Sequence, residues 1–130
     1  MHITEIDLSA GLPKRSSDLK GTYFFIVDNI KDGDFANELA LEFQENGAWY
    51  HFFGKHEPTW HFEFDRAFVE THPELKDDEI IATLGYDDLD DFVDEIYLAI
   101  IYGNREVFLF YDDPDILKKT KNALKNIKNE

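Results

Sequence analysis

The chain has 130 residues and a formal net charge of −15, from 28 acidic and 13 basic side chains. Its 43% hydrophobic and 15% aromatic content is enough for a packed core, so the acidity does not indicate disorder. The length fits a single domain over residues 1–130. Because there is no cysteine, disulfides, thiolate catalysis and cysteine metal ligands are excluded.

No segment resembles a targeting or membrane signal. The first residues show neither a basic n-region nor a continuous apolar run, and no apolar run approaches the roughly 20 residues of a membrane-spanning helix. We therefore expect a cytoplasmic protein without membrane contacts.

The first half of the chain predicts strands joined by short turns. Residues 38–44 and 60–65 alternate apolar and polar side chains, which is typical of half-buried strands. Asp32-Gly33 and Asn46-Gly47 are dipeptides typical of two-residue hairpins. The predicted strands of this half are residues 22–27, 38–44, 48–53 and 60–65. Short turns between them indicate antiparallel pairing.

The second half predicts mainly helices. Residues 74–84 fit a helix slightly better than a strand, and residues 88–102 have a clear helical period. Residues 106–111 predict a further strand, after which Asp113 and Pro114 are suited to begin a last helix. The sequence thus predicts an α+β fold: an antiparallel β-meander of about four to five strands with helices packed on one face.

The helix over residues 88–102 carries an unusual concentration of acids. Its apolar residues form one stripe, and Asp87 or Asp88 is a suitable N-cap. Like charges stand four residues apart at Asp90 with Asp94, and each such pair costs a few tenths of a kcal/mol, roughly. Residues 57–95 hold 14 acidic and 2 basic residues, a net charge of −12. Such a field repels nucleic acid and attracts basic partners.

The acidic helix is therefore the predicted partner-binding site. The proposed contacts are Tyr86, Asp87, Asp88, Asp90, Asp91, Asp94 and Glu95. Tyr86 is included as a neighbouring aromatic anchor, since interfaces often combine an aromatic ring with charged side chains. An ordinary solvated acidic face is the alternative interpretation of the same residues, and the aromatic face of the sheet is an alternative binding surface.

Histidines provide the main alternative chemistry. His51, His56 and His61 are evenly spaced, and with neighbouring acids they could bind zinc or iron in an enzyme, although the spacing matches no standard ligand set. Nucleophile-elbow, P-loop, dinucleotide-binding and HExxH signatures are absent from the sequence. We therefore predict no catalytic residue, no metal and no cofactor.

The leading hypothesis is an acidic inhibitor that neutralises a basic protein partner, with a nuclease toxin as the favoured partner. A bacterial immunity protein has this profile: short, strongly acidic and poor in motifs. Direct binding of nucleic acid is not expected, because phosphates would be repelled. A non-catalytic scaffold or regulatory subunit, whose acidity serves solubility, is a further alternative.

Overall fold

Strands and helices alternate along most of the chain in the computed structural model, which describes residues 3–15, 20–71 and 82–128. The strands are β1 (Ile3–Asp7), β2 (Gly21–Ile26), β3 (Trp49–Phe53), β4 (Ala82–Tyr86) and β5 (Glu106–Tyr111). The helices are α1 (Gly33–Glu42), α2 (Glu57–Thr71), α3 (Leu89–Tyr102) and α4 (Pro114–Lys128). In the described ranges no helix is both long and apolar enough to cross a bilayer.

The five strands form one sheet in the order β1-β5-β2-β3-β4, and every neighbouring pair is parallel. The predicted antiparallel meander is therefore wrong. Parallel neighbours require a crossover connection, and a helix follows each of β2, β3 and β4 before the next strand begins. Two segments predicted as strands belong to these crossover helices, and this error reversed the inferred strand directions.

Helices cover both faces of the sheet rather than one, which also corrects the prediction. α1 and α2 pack on the face that carries Tyr23, Phe25 and Tyr50, whereas the other face packs Phe24 and Ile26 against α3 and α4. Successive residues of β2 thus enter two different cores, and all of them from Tyr23 to Ile26 are buried. The result is a three-layer, doubly wound arrangement.

Residues 38–44 lie mostly in helix α1 and not in a strand. Ala36, Leu39, Ala40 and Phe43 are buried at helical spacing, while Leu41 is 46% exposed. The apparent alternation arose because Leu41 stands between two buried residues but points outward. Asp32 caps the helix, since its Oδ1 accepts the Asp34 N–H at 2.9 Å. The Asp32-Gly33 pair therefore begins a helix instead of closing a hairpin.

Residues 60–65 are helical for the same reason. Trp60, Phe64, Ala67 and Phe68 of α2 are buried at intervals of three to four residues. Phe62, which the alternation placed beside Trp60 and Phe64 in a strand, is 63% exposed. Because the exposed Phe62 stands between the buried Trp60 and Phe64, the sequence of this helix resembles the alternation of a strand.

The segment 74–84 was predicted to be a helix. Residues 74–81 lie outside the described part of the chain, but Ala82, Thr83 and Leu84 belong to strand β4. β4 pairs in parallel with β3, with Thr83 opposite Tyr50. β4 is thus an edge strand of the sheet.

Five elements agree with the sequence prediction: β2, β3, β5, α3 and α4. β2, β3 and β5 coincide with the predicted strands 22–27, 48–53 and 106–111 to within a residue at each end. α3 agrees with residues 88–102: Asp88 is its N-cap, and the Gly103 N–H donates to the Ala99 carbonyl at 3.0 Å where it ends. α4 begins at Pro114, as predicted, with the Asp113 carboxylate accepting the Ile116 N–H.

Candidate partner-binding surface

The carboxyl end of the parallel sheet is the edge at which all four helices begin, because each helix follows a strand. Doubly wound sheets bind ligands in the crevice outside this edge, where neighbouring strands send their connections to opposite faces. Here that position lies between β2, which leads to α1, and β5, which leads to α4 on the other face. A ligand cleft is expected at this position first.

A carboxylate of the chain itself fills this crevice. Asp112, only 6% exposed, directly follows β5. Its Oδ1 accepts the Asp28 N–H at 2.8 Å, and its Oδ2 accepts those of Asn29 at 2.9 Å and Ile30 at 2.7 Å. These three N–H groups are the donors that could otherwise hold an anionic ligand after β2. The crevice is therefore closed by a structural contact.

Replacing Asp112 by Ala should lower the free energy of unfolding by about 2 kcal/mol, because three partly buried N–H groups lose their acceptor. Urea denaturation monitored by circular dichroism measures the change. Asp115→Ala is the matched control, since this exposed residue lies on the first turn of α4, and its loss should stay within about 0.5 kcal/mol. Equal losses in the two variants would contradict the structural role of Asp112.

Four of the predicted acidic contacts form an exposed set on α3 and the residue before its cap. Asp87, Asp90, Asp91 and Asp94 are all exposed. Helical geometry places the last three on neighbouring rows of one side of α3, and Asp87 directly precedes the N-cap residue. We call these four carboxylates the acidic surface. In residues 3–15, 20–71 and 82–128, none of the four forms an ion pair. Their charge is therefore not neutralised by the described part of the chain.

The other two predicted acids are placed differently. Asp88 is exposed, but its Oδ1 accepts the Asp90 N–H at 2.8 Å, so the carboxylate stabilises the start of α3. Glu95 is half-buried. The opposite side of α3 carries Phe92, Val93 and Ile96, which are buried against the sheet. The apolar residues thus fix which side of the helix presents the acids to solvent.

Tyr86 is half-buried: its ring packs within the structure, and the residue also lines a pocket together with Asp87. Its hydroxyl is 2.8 Å from Nδ1 of His51, and its ring meets Phe92 edge-on with centroids 5.7 Å apart. Burial raises the pKa of Tyr86, and the charges of Glu95 and Asp91 raise it further, so the hydroxyl stays protonated. Tyr86 therefore contacts the beginning of α3, and its hydroxyl is paired with His51.

A shallow pocket of about 300 Å³ adjoins the acidic surface. Asp28, Glu57 and Asp87 contribute carboxylates to its lining, Lys55 contributes the one basic side chain among its described lining residues, and Phe53 is part of its apolar wall. Asp87 belongs to both the pocket and the acidic surface. Sequence reasoning missed Asp28 and Glu57, because only a parallel sheet brings the ends of β2, β3 and β4 to one edge.

The three candidate metal-ligating histidines do not come together. His51 is buried, and its ring stacks on Phe24 on the α3 side of the sheet. His61 belongs to α2, and its ring stacks on Phe52 on the opposite face. His56 lies between β3 and α2, where its backbone N–H donates to the Val27 carbonyl. In the described ranges no three His, Cys, Asp or Glu side chains are arranged to hold a metal ion.

A polar cluster surrounds His61, which the sequence grouped with neighbouring acids only as possible metal ligands. His61 Nε2 is 2.9 Å from Thr83 Oγ1 on β4, and Nδ1 is 3.5 Å from Glu57 Oε1. The Thr83 hydroxyl donates to the Asp65 carboxylate. The cluster links α2 to the edge strand. Glu57, His61 and Asp65 lie four residues apart, so they share one side of α2 only because residues 57–71 are helical.

Comparison with known proteins gives no match to a family model, to a curated protein or to a solved structure.

Proposed function

We propose that this protein binds a basic protein partner through the acidic surface and the pocket beside it. The observation that carries the proposal is that four exposed carboxylates without ion-pair partners in the described ranges continue, through Asp87, into a pocket lined by Asp28 and Glu57. A partner's lysine or arginine side chain entering the pocket would find several acceptors and an apolar wall. The surrounding carboxylates would contact the basic residues around it.

The charge distribution supports a protein partner rather than a nucleic acid. The net charge of −15 repels phosphates, and it accelerates encounters with a positively charged protein. A nuclease must be basic where it grips its substrate, so an acidic surface can occupy that region and block it. That the partner is a nuclease toxin, and that the two meet in the cytoplasm, are parts of the proposal.

A binding role without catalysis is consistent with the crevice of the sheet. Where a doubly wound sheet would hold a substrate, the Asp112 carboxylate accepts three backbone N–H groups of this chain. The acidic surface needs only to present charge at a fixed spacing, which the packed α3 helix provides.

The test is a triple variant that neutralises Asp90, Asp91 and Asp94 as Asn. The partner is first captured from the native host on the immobilised protein. We expect its association rate constant with the triple variant to be about tenfold lower than with the wild type at low ionic strength, because long-range attraction is lost. The difference should shrink as salt is added. Stopped-flow fluorescence measures both rates, and the exposed positions should keep the change in stability within about 0.5 kcal/mol.

A second triple variant separates position from total charge. Asp34→Asn, Glu38→Gln and Glu70→Gln remove three exposed acids from α1 and α2, on the opposite face of the sheet. This control should associate almost as fast as the wild type. Equal slowing in both triple variants would show that only the overall charge matters, and the acidic surface would be rejected as the site.

A further inference from the structure

A cavity at the other side of the molecule has a different chemistry from the acidic surface. It measures about 170 Å³ and lies between side chains of β1, β2 and β5, the Phe43 residue that ends α1, and residues 13–15. Its walls include Ile6, Tyr23, Phe43 and Phe108, so aromatic carbon dominates the interior. None of its described lining residues is acidic.

The cavity is large enough for one aromatic ring. Apolar cavities of about 150 Å³ in other proteins hold benzene. The Tyr23 and Phe108 rings are stacked with centroids 5.4 Å apart, and Phe43 meets Tyr23 edge-on at 6.3 Å. These packed rings form an aromatic wall against which a guest ring can pack.

Two basic side chains, Lys14 and Arg15, line the same cavity. The guanidinium of Arg15 is held in place, with NH2 at 3.0 Å from Glu45 Oε1 and NH1 at 3.1 Å from the Gln44 carbonyl. Arg105 also contacts Glu45, at 3.2 Å, and the Arg15 backbone N–H donates to the Glu42 carboxylate at 2.9 Å, so two carboxylates offset the two arginines. Lys14 is exposed and has no ion-pair partner in the described ranges.

We propose that this cavity binds a small aromatic carboxylate, with the ring between Ile6, Phe43 and Phe108 and the carboxylate paired with the amine of Lys14. The apolar walls select a single ring by size, and the positive edge selects an anion. A neutral molecule of the same shape would gain only the burial of its ring. This site is independent of the proposed protein partner, because it lies at residues that the acidic surface does not include.

The test uses benzoate as the probe and benzyl alcohol as its neutral counterpart, at about 0.15 M ionic strength, so that the field of distant acids is screened. Isothermal titration calorimetry should show saturable benzoate binding with a Kd about fivefold lower than that of benzyl alcohol. This difference is the size expected of one exposed ion pair. Lys14→Gln should remove this preference. Lys20→Gln, which changes an exposed lysine that does not line the cavity, should leave it intact.

Nuclear Overhauser effects between the benzoate ring protons and the Ile6 methyl groups locate the ligand without any substitution. Contacts to Ile6, together with loss of the preference in Lys14→Gln alone, are the expected result. The inference is overturned if benzoate shows no saturable binding, if its contacts lie elsewhere, or if Lys14→Gln and Lys20→Gln reduce affinity equally.

Discussion

Phe64→Ala should lower the free energy of unfolding by about 4 kcal/mol, whereas Phe62→Ala should change it by less than about 0.5 kcal/mol. The two residues are neighbours in the sequence pattern, and a strand would place their rings on the same face. In helix α2 Phe64 is fully buried, and its ring packs against Phe25, Phe52 and Phe68. Removing it leaves a cavity in the larger core, which the packed surroundings fill only in part.

Each variant is the control for the other, because both replace a phenylalanine of α2 by alanine and differ only in how deeply that phenylalanine is buried. Urea denaturation of each variant gives the two free energies, and far-ultraviolet circular dichroism shows whether the native helix content is kept. Since Phe62 is 63% exposed, its removal takes little apolar surface from the folded core. Similar losses at both positions would contradict the helical assignment of residues 57–71 and restore the strand.

Stability should fall as the pH is lowered from about 6.5 towards 4, because of His51. Burial lowers the pKa of His51 to about 4, against 6.5 for the unfolded chain. Between these values the unfolded state binds a proton that the folded state does not, so acid favours unfolding. Over the whole titration His51 lowers the free energy of unfolding by about 3 kcal/mol, and about 2 kcal/mol of this loss falls between pH 7 and pH 5.

Replacing His51 by Phe removes the titrating group and should flatten the stability profile between pH 7 and pH 5. The hydroxyl of Tyr86 then loses its partner, so the double variant His51→Phe with Tyr86→Phe separates the lost hydrogen bond from the lost titration. His56→Gln is the control for removing an imidazole at another position, the half-buried residue between β3 and α2. A steep profile that persists in both His51 variants would reject this histidine as the cause.

The sequence predicted elements correctly where one periodicity dominated. Helix α3 has a continuous apolar stripe bounded by a suitable cap and a glycine, and strand β2 is apolar at nearly every position. α1 and α2 were misread because Leu41 and Phe62 are apolar but exposed, so alternation and helical spacing matched the same residues. The strand direction followed from that error, since parallel pairing is inferred only when a helix stands between two strands.

The candidate site was predictable to the extent that it depends on one helix. The apolar stripe of α3 indicated that Asp90, Asp91 and Asp94 face solvent, and they are exposed. The same prediction included Glu95, which is half-buried. The role of Tyr86 depends on His51, which belongs to another strand, and no local pattern indicates that contact. The pocket beside the acidic surface was also missed, because its residues follow three different strands.

The measurement that tests the central claim most directly is capture from the native host at low salt, with three immobilised forms of the protein side by side. These are the wild type, the triple variant at Asp90, Asp91 and Asp94, and the control triple variant on α1 and α2. A salt gradient then elutes the bound proteins, which are identified by mass spectrometry. We expect the wild type and the control to retain one basic protein into moderate salt, and the α3 variant to release it early. If all three forms release the same mixture of basic proteins together at modest salt, the acidic surface has no specific partner and the proposed function is wrong.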